Sequence, residues 1–169
     1  MRTADKQIAD ILVRYGEPFG GNVWRVQGTA VIYHKTLERI AAQAGIVFEP
    51  PTVIRAERDE AVILVTGRLP GAKPGTERVE WSMGEALVNV NYRVSGKQAA
   101  YVYAMAEKRG KDRVILKLIE LHGLVYSEEE ADEFRAHQVP VRAVDEDFEE
   151  APAFDEVRSE EHTSELQSH

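Results

Sequence analysis

The chain has 169 residues, of which 43% are hydrophobic and 30% are charged. This length fits one domain of ordinary size, and the composition is too apolar for an intrinsically disordered chain. The chain has no cysteine, which excludes disulfide scaffolds, thiolate zinc sites and cysteine nucleophiles. We find no apolar run long enough for a membrane span and no signal-type segment at the start, so we expect a cytoplasmic protein with no membrane partner.

The charge is distributed unevenly along the chain. The formal net charge is −8, but residues 1–126 hold 18 basic and 14 acidic side chains and carry +4, whereas residues 127–169 hold 3 and 15 and carry −12. A basic body with an acidic tail is typical of nucleic-acid-binding proteins. A solvated tail on an ordinary domain gives the same charge pattern, so this observation does not decide between the two interpretations.

The last twelve residues, 158–169 (RSEEHTSELQSH), read like a translated sequencing-library adapter. Such a segment is excluded from reasoning about fold and function. Without it, the acidic tail at residues 127–157 still carries −10. The uneven charge therefore does not depend on the adapter-like residues.

The first half of the chain predicts helices at both ends of a short extended stretch. Apolar residues recur at helical spacing in residues 3–15, and Gly16 stands where this helix ends. Residues 23–33 are β-prone, and residues 34–44 predict a second helix that ends at Gly45.

The middle of the chain predicts strands. Residues 52–57 and 61–67 flank Arg58-Asp59-Glu60, which is a hairpin signature, and residues 78–86 alternate like a half-exposed third strand. Parallel pairing would need longer connections, so these strands predict an antiparallel meander.

Residues 97–122 predict a long helix with six bases and two acids between positions 97 and 117. Arg109, Arg113 and Lys117 recur every four residues and form what we call the basic stripe on one helix face. Gly110 predicts either a close packing contact or a break into two helices.

Ser127 and the glutamates after it predict a capped, short acidic helix that reaches about residue 134, and we expect disorder beyond it. Together the elements predict an α+β fold: an antiparallel β-meander packed against a long basic helix, with short N-terminal helices and an acidic C-terminal tail. Residues 1–126 form the predicted domain, and residues 127–157 form the tail.

The sequence lacks the motifs of phosphate loops, dinucleotide folds, serine hydrolases and zincins. The remaining enzyme interpretation is a Mg²⁺-dependent nuclease that uses Glu107, Asp112 and Glu120, although helical spacing does not place all three on one face. Ion pairs with neighbouring bases are the favoured interpretation of these acids.

The binding interpretation has more residues behind it. Basic side chains along one helix supply phosphate contacts, and Tyr92, Tyr101 and Tyr103 are candidates for stacking unpaired bases. This combination is typical of proteins that bind single-stranded nucleic acid.

Two segments carry a resemblance to a known family. Residues 81–86 (WSMGEA) resemble an aromatic–small–Glu–small stretch, and residues 104–117 (AMAEKRGKDRVILK) with Lys97 resemble a basic helix that is followed by a glycine, here Gly123. The stretch and the basic helix that these segments resemble belong to the annealing domain of the eukaryotic double-strand-break-repair annealing protein and to its phage relatives of the essential-recombination-function type. The resemblance covers residues 22–127.

The resemblance implies a protein that binds single-stranded DNA along a basic groove and anneals complementary strands without ATP, metal or another cofactor. It implies no bond-making catalysis. The residues that it assigns to DNA binding are Arg113 and Lys117 first, then Lys108, Arg109, Lys111 and Lys97, with Lys35 and Arg39 on the second helix; Tyr101 is added for stacking. The chain departs from the family pattern at Asp112, where a second base is common, and at Gly110.

The expected partners are single-stranded DNA, further copies of the chain in a ring or helical filament, and an exonuclease or single-strand-binding protein. The resemblance also implies a phage or prophage origin. Two alternatives stay open: the nuclease, and an oligomeric adaptor protein that does not bind DNA.

Overall fold

The computed structural model describes residues 2–136, with side chains to residue 132. The expectations for the acidic tail beyond residue 136 and for the adapter-like segment lie outside these residues. The chain is α+β. The described residues form four α-helices, α1 (Thr3–Arg14), α2 (His34–Ala44), α3 (Val102–Leu118) and α4 (Glu128–Ala136), and a 3₁₀ turn, Gly96–Tyr101, precedes α3.

Seven strands within residues 2–136 form two sheets. They are β1 (Val23–Val26), β2 (Thr29–Ile32), β3 (Val47–Phe48), β4 (Thr52–Ala56), β5 (Glu60–Leu69), β6 (Arg78–Leu87) and β7 (Val125–Ser127). In the first sheet β2 pairs antiparallel with β1 and parallel with β7. In the second, the long strand β5 pairs antiparallel with β6 on one side and with β3 and β4 on the other.

The predicted meander is confirmed by β4, β5 and β6. The parallel pair β2–β7 was not predicted, because its strands lie far apart in the sequence and β7 has only three residues. The predicted helix over residues 97–122 is wrong at both ends, since its first turn is 3₁₀ and the α-helix stops at Leu118.

Helix α3 packs between two clusters of buried apolar residues. Ile115 and Leu116 join the cluster formed with α1, α2 and β2. Val114 and Leu118 join the cluster under β5 and β6. Because both clusters use the same helix, α3 connects the two sheets.

Gly110 allows α3 to lie close to the second sheet. The helix runs through Gly110 without a break, and a Cβ added there would lie 2.5 Å from the Val65 side chain. On the facing strand, a Cβ at Gly84 would lie 1.9 Å from the Ala106 carbonyl oxygen. The close-contact interpretation of Gly110 is therefore confirmed.

The packed structure continues beyond residue 126. Ala131 of α4 is fully buried against Val26 and Val31, with Trp24 beside them. Within residues 2–136, no helix combines the length and the apolar character that crossing a membrane requires.

Candidate nucleic-acid interface

The basic stripe lies beside the free edge of β6 and binds that edge. Arg109 Nη1 donates to the Glu85 carbonyl at 2.9 Å, Arg113 Nη1 to the Met83 carbonyl at 2.7 Å, and Lys117 Nζ to the Trp81 carbonyl at 2.7 Å. Four residues advance an α-helix by about 6 Å, and two residues advance a strand by about 6.8 Å. The two spacings match, so successive bases on α3 reach successive outward carbonyls of β6.

Arg109 is therefore buried and Arg113 is half-buried. Arg109 is 3% exposed, and its second terminal nitrogen donates to the Asn91 carbonyl at 2.7 Å. Arg113 binds the carboxylates of Glu85 and Glu130 at 2.9 and 2.6 Å. The expectation that the stripe forms a DNA-facing surface has to be corrected: its polar ends satisfy edge carbonyls that would otherwise recruit another strand.

The charge of Arg113 is neutralised locally. Burial acts against the charged guanidinium, but the hydrogen bonds that it donates to Glu85 and Glu130 outweigh this effect and raise the pKa of Arg113. Lys117 is only partly exposed, and its Nζ also lies 5.4 Å from the centre of the Trp81 ring. The two bases that the sequence ranked first for phosphate contact are therefore both engaged within the protein.

Three other predicted bases are paired, of which Lys108 and Arg39 are exposed and Lys111 is half-buried. Lys111 forms an ion pair with Glu107 at 2.5 Å, Lys108 lies 3.8 Å from Glu129, and Arg39 binds Glu17 at 2.7 Å. The Glu17–Arg39 hydrogen bond lowers the pKa of Glu17 and ties the loop after α1 to α2. Surface pairs of this kind contribute little to stability, and a competing anion can replace the carboxylate.

Lys35, Lys97 and Tyr101 are the predicted site residues that the structure leaves most accessible. Both lysines are exposed and have no ion-pair partner among residues 2–136, and Tyr101 is 62% exposed. Lys97 and Tyr101 share the 3₁₀ turn before α3, whereas Lys35 lies separately at the start of α2.

We call the region around the 3₁₀ turn the tyrosine end. It comprises the exposed residues Arg93, Lys97, Tyr101 and Tyr103, the last of which is 46% exposed. The surrounding segment, residues 88–106, contains no acidic residue. Exposed aromatic rings beside bases, with no carboxylate in the same segment, give a surface on which a polyanion with aromatic bases can bind.

Hydrogen bonds from two tyrosine hydroxyls hold the tyrosine end in place. The Tyr92 hydroxyl donates to the Gln98 carbonyl at 3.0 Å, and the Tyr103 hydroxyl donates to the Glu57 carbonyl at 2.7 Å. Tyr92 is buried, so it supports the segment from inside and does not face solvent. Arg109, which the sequence predicted to contact DNA, donates a hydrogen bond to the Asn91 carbonyl and so helps to position this segment.

A buried ion pair joins α2 to α3 next to these bases. His34 Nδ1 lies 2.8 Å from Asp112 Oδ1, and His34 Nε2 lies 3.2 Å from Glu38. Both ring nitrogens face carboxylates, so the ring donates to both when it is doubly protonated. The Asp112 bond raises the pKa of His34, while burial raises the pKa of Asp112 to about 6.

The three acids of the nuclease hypothesis are engaged separately. Asp112 is fully buried against His34, Glu107 pairs with Lys111, and Glu120 pairs with Arg78 at 3.1 Å. Among residues 2–136, no group of three or more histidine, aspartate or glutamate side chains is arranged to hold a metal ion. The favoured interpretation, ion pairs with neighbouring bases, holds for Glu107 alone, because the partners of Asp112 and Glu120 lie far away in the sequence.

Sequence reasoning missed the docking of α4. Ser127 and Glu130 form the predicted capping box, with Ser127 N–H donating to Glu130 at 3.3 Å and Glu130 N–H to the Ser127 hydroxyl at 3.4 Å. The sequence carried a signal for this cap but none for the partners of the acidic turn, which lie on α2 and α3.

No protein-family model, curated protein sequence or solved structure matches this chain. A functional assignment therefore depends on the geometry above.

Proposed function

We propose that this protein binds single-stranded DNA through the tyrosine end and promotes annealing of complementary strands without nucleotide or metal. The observation that carries the proposal is the acid-free segment 88–106, in which Lys97, Tyr101 and Tyr103 are all exposed. The resemblance noted in residues 22–127 supports it independently.

The chemistry of the surface suits an unpaired strand. Lysine binds phosphates and releases condensed counterions, and a base stacked on an aromatic ring contributes about 1–3 kcal/mol whatever its identity. Tyrosine rings offer a stacking face only to bases that are already unpaired. A strand held with its bases extended needs little reorganisation before it pairs with a complement.

The remaining parts of the proposal concern assembly and context. We include in it a homo-oligomer, as a ring or a helical filament, and an exonuclease or single-strand-binding protein as partner. A phage or prophage origin and a cytoplasmic location complete it. Fluorescence anisotropy and light scattering on the purified full chain test the DNA-bound and oligomeric states directly.

The decisive experiment measures annealing of two complementary fluorescent oligonucleotides by the full chain, without ATP or divalent metal, at two salt concentrations. We expect wild-type protein to accelerate annealing at low salt and to lose most of this effect at high salt. Tyr101→Ala should weaken single-strand binding about tenfold. Lys97→Glu should weaken it and make its dependence on salt shallower.

The matched control is Lys73→Glu, which reverses an exposed lysine in the loop before β6. This variant should bind and anneal like wild type. If wild-type protein neither binds single strands nor accelerates annealing, the proposal is wrong. If Lys73→Glu and Lys97→Glu lose binding equally, DNA binding is not located at the tyrosine end.

Reversing Arg113 would not be an informative test. Its guanidinium binds Met83, Glu85 and Glu130 inside the protein. Removing one partner of such a buried pair costs roughly 3–5 kcal/mol of folding stability. Lost DNA binding in that variant would report on unfolding.

A further inference from the structure

The first turn of α4 lies against α2 and α3, and each of its three glutamates has a different partner. Glu128 accepts a hydrogen bond from the His34 backbone N–H at 3.1 Å. Glu129 lies 3.8 Å from Lys108 Nζ, and Glu130 binds Arg113 Nε at 2.6 Å. The turn therefore places three carboxylates on the junction between the two helices.

The contact made by Glu128 replaces a missing helix cap. Tyr33, the residue before α2, makes no side-chain cap. The first N–H groups of a helix need acceptors, and its N-terminus favours negative charge. Glu128 supplies both from 94 positions away in the sequence. A phosphate oxygen would satisfy the same requirement.

Apolar packing holds the turn in this position. Ala131 is fully buried in the small cluster with Val26 and Val31. The carboxylates are therefore positioned even where salt weakens their individual ion pairs.

The turn lies at the end of an exposed helix face that starts at the tyrosine end. Tyr101, Ala104 and Lys108 are all exposed and are spaced i, i+3, i+7, which places them on one side of the helix. Lys108 lies about 10 Å along the helix axis from Tyr101. A strand that binds at the tyrosine end and follows this face meets Lys108, where Glu129 is already in place.

We infer that the first turn of α4 is an internal competitor for the bound strand: Glu128 and Glu129 occupy, at the α2 N-terminus and at Lys108, the positions that two phosphates of single-stranded DNA take. This inference rests on the proposed function. Strand binding displaces the carboxylates of Glu128 and Glu129, and Lys108 and the His34 N–H then bind phosphate. Exposed Lys35, next to His34, lies beside the same anion site.

The test measures the affinity of the full chain for a fluorescent oligothymidine, with the double variant Glu128→Gln/Glu129→Gln. We expect its affinity to rise on the order of tenfold at low salt. Lys108→Ala should weaken binding more in the double variant than in wild type, because Lys108 is then free for phosphate. The control, Asp10→Asn/Glu120→Gln, removes two exposed acids elsewhere and should raise affinity much less.

A second variant separates competition from loss of negative charge. Ala131→Gln adds a neutral side chain to a buried position and should undock the turn, so we expect higher affinity with net charge unchanged. Circular dichroism checks that both variants stay folded.

The possible failures are distinguishable. If wild type binds the oligonucleotide and neither α4 variant gains affinity, the competitor inference is wrong while the proposed function stands. An equal gain in the control variant also overturns the inference. If no variant binds at all, the proposed function fails and the inference fails with it.

Discussion

The carboxylate of Asp112 is fully buried. One oxygen binds His34, whereas Oδ2 has no hydrogen-bond partner among residues 2–136. A buried ionised carboxylate with one satisfied oxygen is costly, and the attraction to His34 recovers only part of that cost. This pair therefore makes stability depend on pH in an unusual direction.

The free energy of unfolding should fall as pH rises from about 4 to 7. Burial raises the pKa of Asp112 from 3.8 to about 6, so the native state holds a proton there that the unfolded state has lost. The Asp112 bond raises the pKa of His34, so stabilisation from the charged ring is present below about pH 6.5 and is lost as pH rises through the folded pKa. Both effects have the same sign.

Urea unfolding at a series of pH values measures this dependence. Asp112→Asn should flatten it, with a difference from wild type of up to about 3 kcal/mol across the range. Asp10→Asn makes the same chemical change at an exposed site on α1 and should give a profile parallel to wild type. A profile for Asp112→Asn as steep as that of wild type would show that this pair does not control the dependence.

At the scale of elements, the packing of α3 on β6 combines close backbone contact with edge capping. Gly84 and Gly110 allow the helix to approach, and the basic stripe then reaches around to the outward carbonyls of β6. Arg78 of β6 in turn binds the helix, because its Nη1 donates to the Leu118 carbonyl at the end of α3 at 3.0 Å. With the carbonyls of Trp81, Met83 and Glu85 occupied, this edge of β6 offers no row of free carbonyls with which another strand could pair.

Gly84→Ala should destabilise the protein by roughly 3 kcal/mol or more. Its Cβ would lie 1.9 Å from the Ala106 carbonyl oxygen, which is helix backbone and cannot move away without shifting α3. Gly20→Ala is the matched control, since its Cβ meets nothing within 4 Å, and it should change stability by less than about 0.5 kcal/mol. Denaturant midpoints of the two variants compare them; similar midpoints would contradict this close packing.

The sequence predicted the helices and strands better than it predicted the contacts between them. The ends of α1 and α2 followed from apolar spacing and from Gly16 and Gly45, and the hairpin followed from its polar turn. The basic stripe was also located correctly, but periodicity says which residues share a helix face and not what that face contacts. The backbone carbonyls of an edge strand do not depend on its side-chain types. The sequence therefore could not predict that Arg109 and Arg113 bind the carbonyls of β6.

For the candidate site, the sequence identified Lys97 and Tyr101 but ranked them below Arg113 and Lys117, which the structure engages at the edge of β6. An interior arginine and a surface arginine look alike in a sequence. What separates them here is the partner set of Arg113, two of whose partners, Glu85 and Glu130, come from distant positions.

At the scale of the whole molecule, the two sheets should unfold together. Ile115 and Leu116 of α3 belong to the cluster beneath the first sheet, and Val114 and Leu118 belong to the cluster beneath the second. Unfolding either cluster removes one side of the same helix from its packing, so neither sheet keeps its buried surface alone. Small domains connected in this way unfold in one cooperative step.

The two tryptophans allow this expectation to be measured, because Trp24 lies in β1 and Trp81 in β6. Trp81→Phe leaves Trp24 to report on the first sheet, and Trp24→Phe leaves Trp81 to report on the second. For each variant, the urea midpoint from fluorescence should coincide with the midpoint from far-ultraviolet circular dichroism. A fluorescence midpoint that departs from the circular dichroism midpoint in either variant would show that one sheet unfolds separately and that α3 does not couple them.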